Sequence, residues 1–164
     1  MRADKKYSGW QLFALVLIRV MIGWHFLYEG LTKLIDPQWS AANFLLESKW
    51  IFAGLYKAIA GNPSVLSAVN VLNTWGLILI GLGLILGGLS RTATIAGMVL
   101  IVLYYFSNPP FIGLYYAIPA EGNYLIVNKN LIELAALFVL LLFPTGHIIG
   151  VDHLFIVWFR NKRR

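Results

Sequence analysis

The sequence predicts an all-α membrane protein: a four-transmembrane-helix bundle with an outer amphipathic helix between spans 1 and 2 and a long outer loop between spans 3 and 4. Three observations predict it. Hydrophobic residues make up 59% of the chain and mean hydropathy is +0.74, well above what a soluble domain carries. Apolar stretches recur at about residues 10–35, 65–89, 92–107 and 130–146. The last two are short for a hydrocarbon core of ~30 Å, but flanking Ser, Asn, Tyr or Gly extend them into the interfaces. Turn chemistry separates them: Asp36-Pro37, Gly61-Asn62-Pro63-Ser64, Ser90-Arg91-Thr92 and Pro144-Thr145-Gly146. The 164 residues read as one integral membrane domain, 1–164.

The first span, Trp10 to Ile35, carries most of the polar chemistry. Arg19 lies nine residues from Trp10, which at ~1.5 Å per residue places it ~14 Å into the hydrocarbon. Holding it there costs roughly 3 kcal/mol on insertion scales, so it should face protein, a partner or a polar cavity. His25, Glu29 and Lys33 follow at steps of four and share one side of the helix, within about 120° of Arg19. Glu29 and Lys33 read either as an i,i+4 pair at the interface or as members of a polar pocket. Gly23 and Gly30 lie where a helix or flat ligand can approach closely.

Residues 37–60 are too polar to cross, and Phe44, Leu45, Ile51, Phe52, Leu55, Tyr56 and Ile59 repeat at helical spacing. This is the amphipathic helix, read as a connector packed on the membrane rather than a lid over the polar end of span 1. Span 2 is a close-packing helix rich in glycine, with Gly83 and Gly87 in G-x-x-x-G spacing. Asn70, Asn73 and Trp75 lie at its outer end. Span 3 forms an antiparallel hairpin with span 2 and ends at Tyr104 and Tyr105, which serve as interfacial belt residues or as an aromatic wall for a ring-shaped ligand.

Residues 107–130 form the outer loop, expected to fold back over the mouth of the bundle with a short extended piece such as Tyr124 to Val127. Span 4 opens near Asn130. Glu133 either complements its helix dipole or faces His25, Glu29 and Lys33 at the same depth. Asp152 is placed to cap a short interfacial helix reaching Phe159 and carrying Leu154, Phe155, Val157 and Trp158.

Several function classes are excluded. With no cysteine, disulfides, thiol relays, iron–sulfur clusters and thiolate zinc sites drop out. Haem and other metal sites fit poorly, because His25 belongs to the outer half while His147 and His153 lie at the opposite end. The net charge of +6 comes from the chain ends and is no nucleic-acid footprint. Eight Lys and Arg lie in the tails and the span 2–3 turn, against four on the other side, which predicts cytoplasmic N- and C-termini. No catalytic residue is assigned. The candidate binding pocket comprises Arg19, His25, Tyr28, Glu29, Lys33, Trp75, Tyr105 and Glu133, with Tyr104 as a further wall. Buried donors and a proton-accepting histidine beside aromatic walls suit a quinone; they also suit a structural polar core.

Arg19-x3-Gly23-x6-Gly30-x2-Lys33-Leu34, Gly88-Leu89-Ser90-Arg91-x-Ala93 and Gly146-x3-Gly150-x-Asp152 together resemble the DoxX/DoxD-like membrane proteins. The outer insertions and the segment Tyr124 to Glu133 resemble the DoxD branch. The resemblance implies a bacterial or archaeal inner-membrane protein, the small membrane subunit of a thiosulfate:quinone oxidoreductase, working with a second protein subunit. Some distant relatives assist assembly of other membrane proteins, so a non-catalytic scaffold is the second expectation. No internal repeat or broken span points to a transporter.

Overall fold

The computed structural model describes residues 7–117, 125–153 and 158. The described elements are α1 (Gly9–Ile35), α2 (Ala42–Leu46), α3 (Ala53–Gly61), α4 (Pro63–Leu86), α5 (Ser90–Ser107) and α6 (Lys129–Leu142). No strand occurs among the described residues.

Local sequence sets each boundary. A capping box opens α1: Ser8 N–H donates to Gln11 Oε1 at 3.0 Å and Gln11 N–H to Ser8 Oγ at 3.3 Å. Asp36-Pro37 ends it. Asn62 caps α4, accepting from Ser64 N–H at 3.1 Å and Val65 N–H at 3.3 Å, with Pro63 at the first helical position. At its far end Gly87 turns left-handed, φ 65°. Asn128 caps α6 by accepting from Leu131 N–H at 3.1 Å.

α1 and α4 pack antiparallel along most of their length, because glycines remove the side chains between them. A Cβ on Gly81 would stand 2.7 Å from Gly23 O, and one on Gly30 2.9 Å from Ile78 N. α5 folds back on α4, α6 lies along α5, and a lighter contact between α6 and α1 closes the ring. Ile22, Phe26, Leu77, Leu84, Ile101 and Leu137 fill the centre. This core draws on all four helices.

Among the described residues three helices, α1, α4 and α5, are long and apolar enough to cross a membrane. The stretch expected as span 4 is a helix of 14 residues that stops at Leu142, ~21 Å long, because Phe143 leaves helical geometry and Pro144 follows. The single amphipathic helix expected over 37–60 divides into α2 and α3. The break buries Ser48, whose Oγ donates to Ser107 O at 2.9 Å, and stacks Trp50 on Phe106 at 5.1 Å. The extended piece expected over 124–127 is a turn at Leu125 and Ile126, with Leu125 at φ 70°; Tyr124 lies outside the described residues.

Asp152 caps a different helix from the one expected. Its carboxylate accepts from Leu89 N–H at 2.7 Å, Ser90 N–H at 3.1 Å and Ser90 Oγ–H at 3.0 Å, closing the N-terminus of α5. Gly146 and Gly150 permit this. A side chain on Gly146 would collide with Ser90 Oγ, and one on Gly150 would stand 2.7 Å from Gly87 O. Leu154, Phe155, Val157 and Phe159 lie outside the described residues, and Trp158 is half-exposed.

Candidate functional site

At the end of the bundle where α1 finishes, a cavity of about 310 Å³ opens between α1, α4, α5 and α6. His25, Glu29 and Lys33 line it from α1, Asn73 and Leu77 from α4, Tyr104 from α5, and Lys129, Asn130 and Glu133 from α6. Trp39, Ser40, Ala41 and Phe44, in and just before α2, complete the wall.

Two carboxylate contacts organise it, a histidine hydrogen bond and a lysine ion pair. His25 Nδ1 lies 3.0 and 3.1 Å from the two Glu133 oxygens, joining α1 to α6 across the ring. The Glu133 side chain is 11% exposed and that of His25 43%. An ionised carboxylate only accepts, so Nδ1 carries the proton and Nε2 is left as the second site of exchange. Lys33 pairs with Glu29 on its own helix and also donates to Glu29 O at 3.1 Å. The Tyr104 hydroxyl donates to Asn73 Oδ1, and Phe44 meets Tyr104 edge-on at 5.7 Å between ring centres.

Four of the eight residues expected here, His25, Glu29, Lys33 and Glu133, come together. The other four do not. Arg19 is 4% exposed at the opposite end of the bundle. Its Nη1 donates to Thr145 Oγ1 at 2.9 Å and Nη2 to Ile149 O at 2.8 Å, fixing the chain after α6 beside Gly87. Six residues separate Arg19 from His25, which is ~9 Å of helix and a 120° turn away from the pocket face.

Tyr28 lies one position from Glu29, so it points outward, 56% exposed, beside Trp24. Trp75 is two positions from Asn73, on the far side of α4 and half-exposed. Tyr105 donates to Ile126 O at 2.9 Å, outside the cavity, while Tyr104 faces in. The stripe Gly97, Ile101, Tyr104 at steps of four and three carried that information, since Gly97 and Ile101 are core. Phe44 carried only the helical periodicity of the segment after span 1, and Trp39 and Asn130 no signal beyond their proximity to span ends.

The motifs that are scattered along the sequence meet in space. Gly23 and Gly30 seat α4, and Gly146, Gly150 and Asp152 close on the α4–α5 turn that holds Ser90. The DoxX family model matches residues 14–108, more than half of the chain. The chain belongs to the DoxX family. The matched DoxX region supplies α1 from residue 14 onward and α2 to α5, and therefore His25, Glu29, Lys33, Asn73 and Tyr104; α6 with Glu133 lies beyond it. No curated protein and no solved structure matches the chain. Membership and the apolar helices make this DoxX protein a multi-pass membrane protein, and the family suggests a membrane-associated, redox-related role.

Proposed function

We propose that this DoxX protein is the membrane subunit of a redox complex and binds a quinone in the cavity beside His25 and Glu133. The observation that carries the reading is that pair, 3.0 Å apart on the wall of a cavity with aromatic sides. The donor set fits the group: quinone carbonyls accept hydrogen bonds, Lys33 and Asn130 supply N–H groups on the lining, and His25 donates from Nε2 once that nitrogen is protonated. Phe26, Leu77 and Ile101 give an apolar floor for a ring. A bound quinone supplies two-electron, two-proton acceptor chemistry.

The chain's own residues handle protons and position. Glu133 holds the His25 tautomer, leaving Nε2 to give or take a proton. Glu29 holds Lys33 by its charge, so the ammonium stays at the cavity wall instead of extending to water. In this reading α6 is the fourth crossing, both ends of the chain are cytoplasmic, and the membrane is a bacterial or archaeal inner membrane. Resemblance to DoxD supports thiosulfate as the electron source, oxidised by a second subunit.

The test is thiosulfate-dependent quinone reduction by the complex isolated through this chain. Glu133→Gln, which keeps the shape and removes the charge, should lower turnover by about 10²-fold or more while the complex still assembles. Unchanged turnover in a folded, assembled variant overturns the pocket.

A second reading, a scaffold for another membrane protein, is favoured by one observation. The outward face of α1 exposes Trp24 and Tyr28 near mid-helix, 59% and 56%, where lipid-facing positions seldom hold aromatic residues with polar atoms. The scaffold reading predicts stable co-purification with a partner and no quinone turnover.

A further inference from the structure

We propose that Trp39 is the specificity-determining residue of the cavity, and that the site takes a flat, electron-poor ring stacked on its indole. This rests on the quinone reading and narrows it to ring chemistry. The segment after α1 is not merely a connector on the bundle surface, since its residues form one wall of the cavity.

The backbone around Trp39 is fixed on both sides, and Lys33 contacts its ring. Lys33 Nζ stands 5.7 Å from its ring centroid, a cation–π distance that restrains the plane of the indole. The Trp39 backbone N–H donates to the Asp36 backbone carbonyl at 3.2 Å, closing a turn behind Pro37. On the other side Ala41 N–H donates to Asn70 Oδ1 at 3.0 Å, and Asn70 Nδ2 donates to Ser40 Oγ at 3.3 Å. These bonds tie the strap to α4. A large aromatic residue fixed at its backbone, beside an ion pair and on a cavity wall, is pre-organised to receive a ring at little entropic cost.

The electron count of the ring sets the preference. Indole is electron-rich, and a ring with two conjugated carbonyls is electron-poor, so offset stacking gains dispersion and electrostatic attraction together. A dihydroxy ring is electron-rich and loses the second contribution. The site therefore holds the oxidised ring more tightly than the reduced one.

The experiment measures duroquinone binding to the purified full chain in detergent by equilibrium dialysis, for the wild type, Trp39→Phe and Trp39→Leu. Stacking predicts that Trp39→Leu weakens binding about tenfold and Trp39→Phe by roughly threefold or less. The Trp39 share of the indole emission, taken as wild type minus Trp39→Phe, should be quenched with the same midpoint. This second readout decides the matter where Trp39→Leu fails to fold.

Unchanged affinity in folded Trp39→Leu, or an unquenched Trp39 component at saturation, overturns the stacking role and leaves the quinone pocket standing. Absence of duroquinone binding in the wild type overturns the pocket itself, and the role of Trp39 with it.

Discussion

At the scale of single residues, the charged side chains of this protein divide into two jobs at two ends. His25, Glu29, Lys33 and Glu133 surround a cavity, whereas Arg19 and Asp152 close the fold. Burial pushes the Asp152 carboxyl up, but hydrogen bonds from Leu89, Ser90 and the Ser90 hydroxyl, with the Arg19 charge, outweigh it and hold the group below its usual 3.8. A carboxyl whose folded pKa is depressed stabilises the fold above the unfolded value and loses that contribution as pH falls through the folded one. Asp152→Asn should therefore cost about 1–3 kcal/mol near neutral pH. The difference in thermal midpoint between the two proteins should shrink below about pH 4 and vanish at lower pH. A difference independent of pH would deny the charge its role.

Arg19 shows why the residue scale was only partly legible in sequence. Its charge called for polar partners and it has them, but it does not lie deep in the bundle: its guanidinium sits beside Gly87 at the α4–α5 turn. Helix phase alone could not say that Thr145 and Ile149, more than a hundred residues away, are those partners. His25, Glu29, Lys33 and Glu133 were legible because three share a helical face and the fourth matches their depth. Tyr28, Trp75 and Tyr105 failed for a common reason. Each neighbours a lining position by one or two residues, and on a helix that is a rotation of 100° or 200°.

At the scale of elements, the helices themselves were readable from length, apolar runs and caps, and their packing from glycine. The expectation of close approach is met at Gly81, where an added Cβ would stand 2.5 Å from Leu27 N. Gly81→Ala must push α1 and α4 apart and should lower stability by about 1–3 kcal/mol. Gly76, five residues earlier on the same helix, has nothing within 4 Å of its would-be Cβ. Gly76→Ala should be neutral or slightly stabilising through helix propensity. Thermal unfolding in one detergent compares the pair, and equal losses would refute the packing argument. The division of the amphipathic segment was not readable, because it depends on a buried Ser48 and an aromatic stack with α5.

At the scale of the whole molecule, the ring of α1, α4, α5 and α6 places the α1 N-terminus and the chain after α6 at one end, where Arg19 joins them. With α6 as a fourth crossing, both ends of the chain meet the same compartment. The chain has no cysteine, so single cysteines at Ser8 and His153 give a clean test. Both should react with a membrane-impermeant maleimide from the same side, and Gln38→Cys from the opposite side. Labelling of Ser8→Cys and His153→Cys from opposite sides would mean that α6 does not cross.

Native mass spectrometry of the chain extracted from its own membranes in mild detergent shows most directly whether a quinone is held beside His25 and Glu133. One quinone per chain is expected in the wild type, lost in Glu133→Ala while the helical content is kept. Equal occupancy in both proteins would contradict the site. A wild type that carries a partner protein and no quinone would contradict the redox role and leave the polar cluster as structure.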